Sequence, residues 1–266
     1  SNPTLSVDGF LVLPTTALGT EYVAPIGGAG NTQIAIVATV DGTQVQIDAP
    51  TPIVAGTSLP NYPYAPPSQF TLTLNRMESV VLRGQNSFTS LSGTSITATN
   101  PVAVLTGIEC GYVPTTSFWY CNHLVEQLPS VTHFGTTFAT VPSAGRSGDF
   151  FRIVSAEDGA VVNVDGTTVA ILERGEGYDF FGSSTDYFLV QSTLPAVLLQ
   201  LAPSLRFDNI LGDPSMVMVP PVQQFSHDYR FSSAGFTFPL ASWSHYINLV
   251  APTASLSGVD GSGAHV

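Results

Sequence analysis

Apolar and polar residues alternate with a period of two over many short stretches of this 266-residue chain. Val45 and Ile47 stand between Gln44, Gln46 and Asp48, and Val162 and Val164 flank Asn163. Successive strand side chains point to opposite faces, so this alternation predicts half-buried strands. An Asp-Gly pair precedes each, Asp41-Gly42 and Asp158-Gly159, and predicts a hairpin turn because glycine reaches φ > 0 without steric cost. Residues 71–74 and 79–82 continue the strand reading, and the apolar runs at 100–105 and 194–199 fit strands covered on both faces. Gly and Pro, 24 and 20 in number, punctuate the chain at the cadence of β-sandwiches. Helical periodicity is scarce; its best candidate is 122–128, where Asn122 would cap a short turn ended by Pro129.

Three segments share one layout. The first begins at Leu13-Pro14, passes Gly19-Thr20-Glu21-Tyr22 and an apolar stretch at 33–38, and reaches Asp41-Gly42. The second begins at Leu128-Pro129, passes Gly135-Thr136-Thr137-Phe138 and residues 151–154, and reaches Asp158-Gly159. The third begins at Val219-Pro220, passes Asp228-Tyr229-Arg230-Phe231 and residues 246–250, and reaches Asp260-Gly261. Their starts lie 115 and then 91 residues apart, the longer interval holding an inserted cysteine loop. The expected architecture is all-β, built of tandem β-sandwich-like units. Residues 1–107 form the first, with the finish of an upstream unit at 5–12; 108–218 form the second; 219–266 form a partial third. Both ends read as cuts through a longer protein, or as a sheet completed by a neighbouring segment or chain through strand addition.

Charged residues are only 10% of the chain, the seven basic ones are all Arg, and the formal net charge is −12. Neutralising a nucleic-acid backbone needs clustered Lys and Arg, so nucleic acid is excluded as a partner. An acidic surface also resists anionic membranes, and no run of 18 apolar residues is present to span one. Ser, Thr, Gly, Asn and Gln supply the polarity instead, a surface typical of secreted or cell-surface β proteins.

Cys110 and Cys121, the only cysteines, are too far apart for a Cys-x-x-Cys redox pair and too few for a thiolate metal site. A local disulfide is the economical reading, with two buried free thiols as the alternative. The bridge would close a loop of about a dozen residues, stabilise by roughly 3 kcal/mol in the chain-entropy model, and imply an oxidising compartment.

With these residues in view, the chain resembles the IgGFc-binding protein N-terminal domain family. Matching strings include Phe10-Leu11-Val12-Leu13-Pro14, Asn100-Pro101-Val102-Ala103-Val104, Gly148-Asp149, Gly212-Asp213-Pro214 and Val219-Pro220-Pro221. Most telling is Cys110 with Val113-Pro114, Cys121-Asn122-His123-Leu124 and Glu126-Gln127-Leu128-Pro129. The sequence departs from the family at Asn122, where an acidic residue is expected, and lacks the N-terminal part of the family domain. What the resemblance implies is non-catalytic adhesion or ligand binding at a cell or mucus surface. The extracellular partner would be a protein or a glycan; fold and family do not fix which.

Within the cysteine loop, Phe118-Trp119-Tyr120 cannot all point inward from one strand, and an exposed aromatic there suits recognition of protein or sugar. The structural alternative is that Trp119 and its neighbours plug a seam between two units. His123 with Glu126 could do acid/base work, but His123, Glu126 and Gln127 are better read as a structural polar network around the bridge. His133, His227 and His245 lack zinc-ligand spacing. Asp158 to Asp165 superficially suggests a calcium loop; a hairpin is the better reading because Val residues occupy ligand positions. No cofactor is expected, although the acidic composition leaves open a Ca²⁺ held by scattered carboxylates such as Asp41 and Asp48. Asp213-Pro214 reads as a turn between strands. With no Gly-x-Ser-x-Gly elbow, an enzyme is not expected. The competing functions are a rigid spacer in a surface protein or fibre and a hydrolase acting on polysaccharide.

Overall fold

A computed structural model describes residues 9–55, 68–86, 89–229 and 246–251. The strands are β1 (Gly19–Val23), β2 (Thr32–Ala38), β3 (Thr43–Ala49), β4 (Ile53–Ala55), β5 (Ser68–Leu74), β6 (Ser79–Gly84), β7 (Ser95–Gly111) and β8 (Asn122–Gln127). They continue as β9 (Gly135–Ala139), β10 (Gly148–Ser155), β11 (Ala160–Val164), β12 (Thr167–Leu172), β13 (Gly177–Ser183), β14 (Leu189–Ala202) and β15 (Ser215–Val219). One short helix, α1 (Leu205–Asp208), precedes β15.

These strands form two antiparallel sheets. In the first the order is β4-β6-β2-β7-β3-β5, with β1 and β8 also pairing with β7; in the second it is β12-β11-β14-β10-β13, with β9 and β15 pairing with β14. One of them curls into a near-barrel and the other into a half-barrel. Beneath the difference in closure lies one plan. Ile36 sits between Val104 of β7 and Val80 of β6, and Ile153 between Leu198 of β14 and Tyr178 of β13. Read outward from those residues, β6-β2-β7-β3-β5 and β13-β10-β14-β11-β12 are the same order. Among the described residues only β4 lacks a counterpart: β11 and β12 are joined directly by Asp165-Gly166, both at positive φ, 50° and 78°.

The alternating stretches are strands β3 and β11, and Gly42 and Gly159 turn into them at φ 68° and 79°. Residues 100–105 and 194–199 lie in β7 and β14, the long central strands. The expected helical turn at 122–128 is instead strand β8, paired with β7 from Gly111↔Asn122 to Leu105↔Gln127. A weak local helix preference gives way to a ladder that buries Leu124, and Asn122 caps no helix: its Nδ2 donates to the Pro214 carbonyl at 3.2 Å. The division drawn at 107/108 falls inside β7, and Val219 closes β15. Most of the expected third unit, 230–245 and 252–266, lies outside the described residues.

Apolar packing joins the sheets. Ile34, Ile36, Ile47, Leu82, Ile96 and Val104 share one core with Leu199, Leu201 and Met216 of the second sheet. Phe138, Phe151, Ile153 and Leu198 centre a second core. Fully burying each such side chain contributes about 1.5–3 kcal/mol.

The junction between segments is also repeated. Three 3-10 turns, Thr15–Ala17, Val131–His133 and Val222–Gln224, follow the three segment starts; the second packs on β1 and the third on β9. A Cβ on Gly19 would lie 2.5 Å from Ser130 Cβ, and one on Gly135 2.1 Å from Pro221 Cβ. Corresponding strands thus begin with glycine because the following segment crosses too closely for any side chain.

Candidate functional site

Two connections leave corresponding ends of the central strands and meet. Residues 112–121 join β7 to β8, and residues 203–214 join β14 to β15. A disulfide between Cys110 and Cys121 closes the first, with Cα atoms 5.1 Å apart, which decides between the bridge and two free thiols. Two reciprocal hydrogen bonds tie the connections together: Val113 N–H donates to Ser204 Oγ at 3.0 Å, and Ser204 N–H donates to the Val113 carbonyl at 2.9 Å.

An ion pair holds the second connection. Arg146 Nε donates to Asp208 Oδ2 at 2.9 Å and its Nη2 to Oδ1 at 3.1 Å, and Nη2 also donates to the Pro203 carbonyl. The two side chains are 8% and 0% exposed. A bidentate fork of this kind satisfies both charges where water does not reach and fixes α1 in orientation.

α1 then carries the platform. Phe207 lies edge-on to Phe118 at 5.2 Å and to Phe150 at 5.0 Å, while Phe181 completes the group at 4.9 Å from Phe150. Phe118 is thereby half-buried. Its two neighbours are not: Trp119 is 65% and Tyr120 57% exposed. The Arg206 guanidinium lies 6.0 Å from the Trp119 ring centre, within cation–π range. Ser117, Phe118, Trp119 and Arg206 border a depression of about 300 Å³. A second cleft of about 350 Å³ runs alongside, lined in part by Val113, Pro114, Phe150, Arg152, Asp179 and Phe181. The seam-plug alternative for Trp119 therefore fails, and Phe118 alone takes the packing role.

β8 does not assemble an acid/base pair from its polar residues. His123 is exposed, whereas Glu126 and Gln127 are buried, and an odd spacing along a strand sets His123 and Glu126 on opposite faces. Gln127 Oε1 accepts from Leu13 N–H at 3.0 Å, tying the segment before β1 to the end of β8.

The aspartates of the suggested calcium loop serve turns. Asp158 Oδ1 accepts from Arg174 N–H and Asp165 Oδ1 from Leu189 N–H, each at 2.8 Å; Asp41 does the same for Arg76 in the first sheet. Among the described residues, no three His, Cys, Asp or Glu side chains converge to hold a metal. Ser130 Oγ lies 2.9 Å from His133 Nδ1; His245 is outside the described residues.

Sequence reasoning missed Arg146, Ser204, Arg206, Phe207 and Asp208. They reach the cysteine loop from well outside it in sequence, and no local pattern marks them. The signal available was scarcity: in a chain with no Lys and seven Arg, each Arg warrants a search for its partner.

Among the described residues, no helix is long and apolar enough to cross a membrane. A family model described as IgGFc binding protein matches residues 8–265. The human IgGFc-binding protein is 29% identical in an alignment 258 residues long that covers 94% of this chain and 4% of the human protein. No solved structure matches.

Proposed function

Because the chain belongs to the IgGFc-binding family, we propose that it is a non-enzymatic, extracellular binding module of a larger protein, and that it recognises a protein or glycan through the cysteine loop. One observation carries the choice of site: Trp119 and Tyr120 are exposed at the end of a loop whose Phe118 is anchored on Phe207. Aromatic rings held this way give large contact area at low entropic cost, because the backbone beneath them is already fixed. Arg206 beside Trp119 adds a donor fork to an otherwise apolar tip. The separation of His123 from Glu126 removes the best acid/base candidate and supports binding over hydrolysis.

Protein and glycan arrays probed with the native chain and with Trp119→Ala test this reading. The Fc of IgG, for which the human relative is named, belongs among the array ligands. Native binding to one class, lost in Trp119→Ala, is expected. Equal binding by both forms would reject the loop as the site.

A further inference from the structure

The two sheets differ at one edge. In the first, β6 is covered by β4, with Ile53↔Gly84, Val54↔Arg83 and Ala55↔Leu82 in register. The strand in the corresponding place in the second sheet is β13, and among the described residues it ends the sheet order. Through Ile36↔Val80 and Ile153↔Tyr178, the positions matching Leu82, Arg83 and Gly84 are Phe180, Phe181 and Gly182.

Hydrogen-bond alternation shows which groups face that edge. Ser155 N–H donates to the Glu176 carbonyl and Ser184 N–H to the Ser147 carbonyl, so even-numbered residues of β13 pair with β10. The N–H and C=O of Asp179 and Phe181 then point away from β10. In the first sheet Ala38 N–H donates to the Glu78 carbonyl, and the same count turns Arg83 toward β4. Phe181, 42% exposed, thus stands where Arg83 receives Val54.

We infer that the β13 edge at Asp179–Phe181 is a strand-addition site, occupied by an extended apolar segment of a partner protein that pairs as β4 pairs with β6. A row of outward N–H and C=O groups at ladder spacing matches the repeat of another extended backbone. The seated example, Ile53-Val54-Ala55, gives the apolar character of the occupant. Glu173, Glu176 and Asp186 lie next to β13 and favour basic flanks on it, whereas the Asp179 carboxylate is already paired with Arg152 at 2.8 Å. Phe181 belongs to the ring group that ends at Phe118, so the edge adjoins the cysteine loop, but the inference does not depend on Trp119. The competing role for an exposed Asp179 is a charge that guards the edge against pairing.

Amide hydrogen exchange on the full chain separates the two. The probe is the peptide KTPIVAGTK, which carries residues 51–57 of this chain between lysines, and the control is KTPIPAGTK, whose central proline removes the pairing N–H. In the free protein the Asp179 and Phe181 amides should exchange faster than that of Arg83. Saturating probe should slow both by about tenfold or more, and the control should not. The inference is overturned if both amides are already as protected as that of Arg83, if neither peptide slows them up to about 1 mM, or if both peptides slow them equally.

Discussion

The β7–β8 connection is pinned by a disulfide, whereas the β14–β15 connection, leaving the same point of the repeated plan, is pinned by the buried Arg146–Asp208 pair. The chemistries place opposite demands on their surroundings. A covalent link constrains the unfolded chain and needs no burial of its neighbours. An ion pair taken out of water, as this one is, must be fully hydrogen-bonded, or desolvation outweighs its attraction. The stapled loop can therefore leave Trp119 and Tyr120 in solvent, while the ion-paired one is drawn inward and supplies the platform through Phe207.

The largest effect should come from breaking the enclosed pair. Asp208→Ala leaves the Arg146 charge buried without its carboxylate and is expected to cost about 3–5 kcal/mol in urea unfolding. Replacing Cys110 and Cys121 together by Ala should cost about 3 kcal/mol, from an 11-residue separation. A larger loss in the double Cys variant than in Asp208→Ala would contradict the greater cost assigned to breaking the enclosed pair.

A smaller effect tests the parallel between the sheets themselves. Tyr22 and Phe138 occupy corresponding places, but only Tyr22 carries a hydroxyl, which donates to the Val102 carbonyl at 2.6 Å and accepts from Gly19 N–H at 2.9 Å. Tyr22→Phe should cost about 1–2 kcal/mol. Burial raises the Tyr22 pKa above its ordinary value, a shift only partly offset by the Gly19 hydrogen bond. The neutral form is thus the one the fold favours. Its stabilisation is complete below about pH 10, the ordinary tyrosine value, and is lost as pH rises through the folded value. Urea midpoints above pH 10 should fall more steeply for the native chain than for Tyr22→Phe. Smallest of all, Arg206→Ala removes an exposed cation–π contact and should change stability by about 1 kcal/mol or less.

Strand-level features were legible in sequence because they are local. Asp41-Gly42 and Asp158-Gly159 announce their hairpins, and the alternation at Val45/Ile47 and Val162/Val164 announces the strands that follow. The cysteine bridge was legible as the economical reading of two cysteines in one loop, and the structure decided it against free thiols. β8 was not, because what makes Asn122–Gln127 a strand is its ladder with β7, a non-local interaction that no capping pattern reports. The platform escaped for the same reason: Phe207 meets Phe118 only after β14 and β15 have brought α1 across from the second sheet. Nor does sequence alone show that Trp119 and Phe118, adjacent in one loop, divide into an exposed and an anchored ring.

The most direct test is the affinity of an array-identified partner for three forms of the chain. Met77, in the β5–β6 turn of the first sheet, is as freely exposed as Trp119 and serves as the control. A recognition aromatic typically contributes 2 kcal/mol or more, so Trp119→Ala should weaken binding by about 30-fold or more while Met77→Ala leaves it unchanged. Undiminished binding by Trp119→Ala, or an equal loss in Met77→Ala, would contradict the cysteine loop as the recognition element.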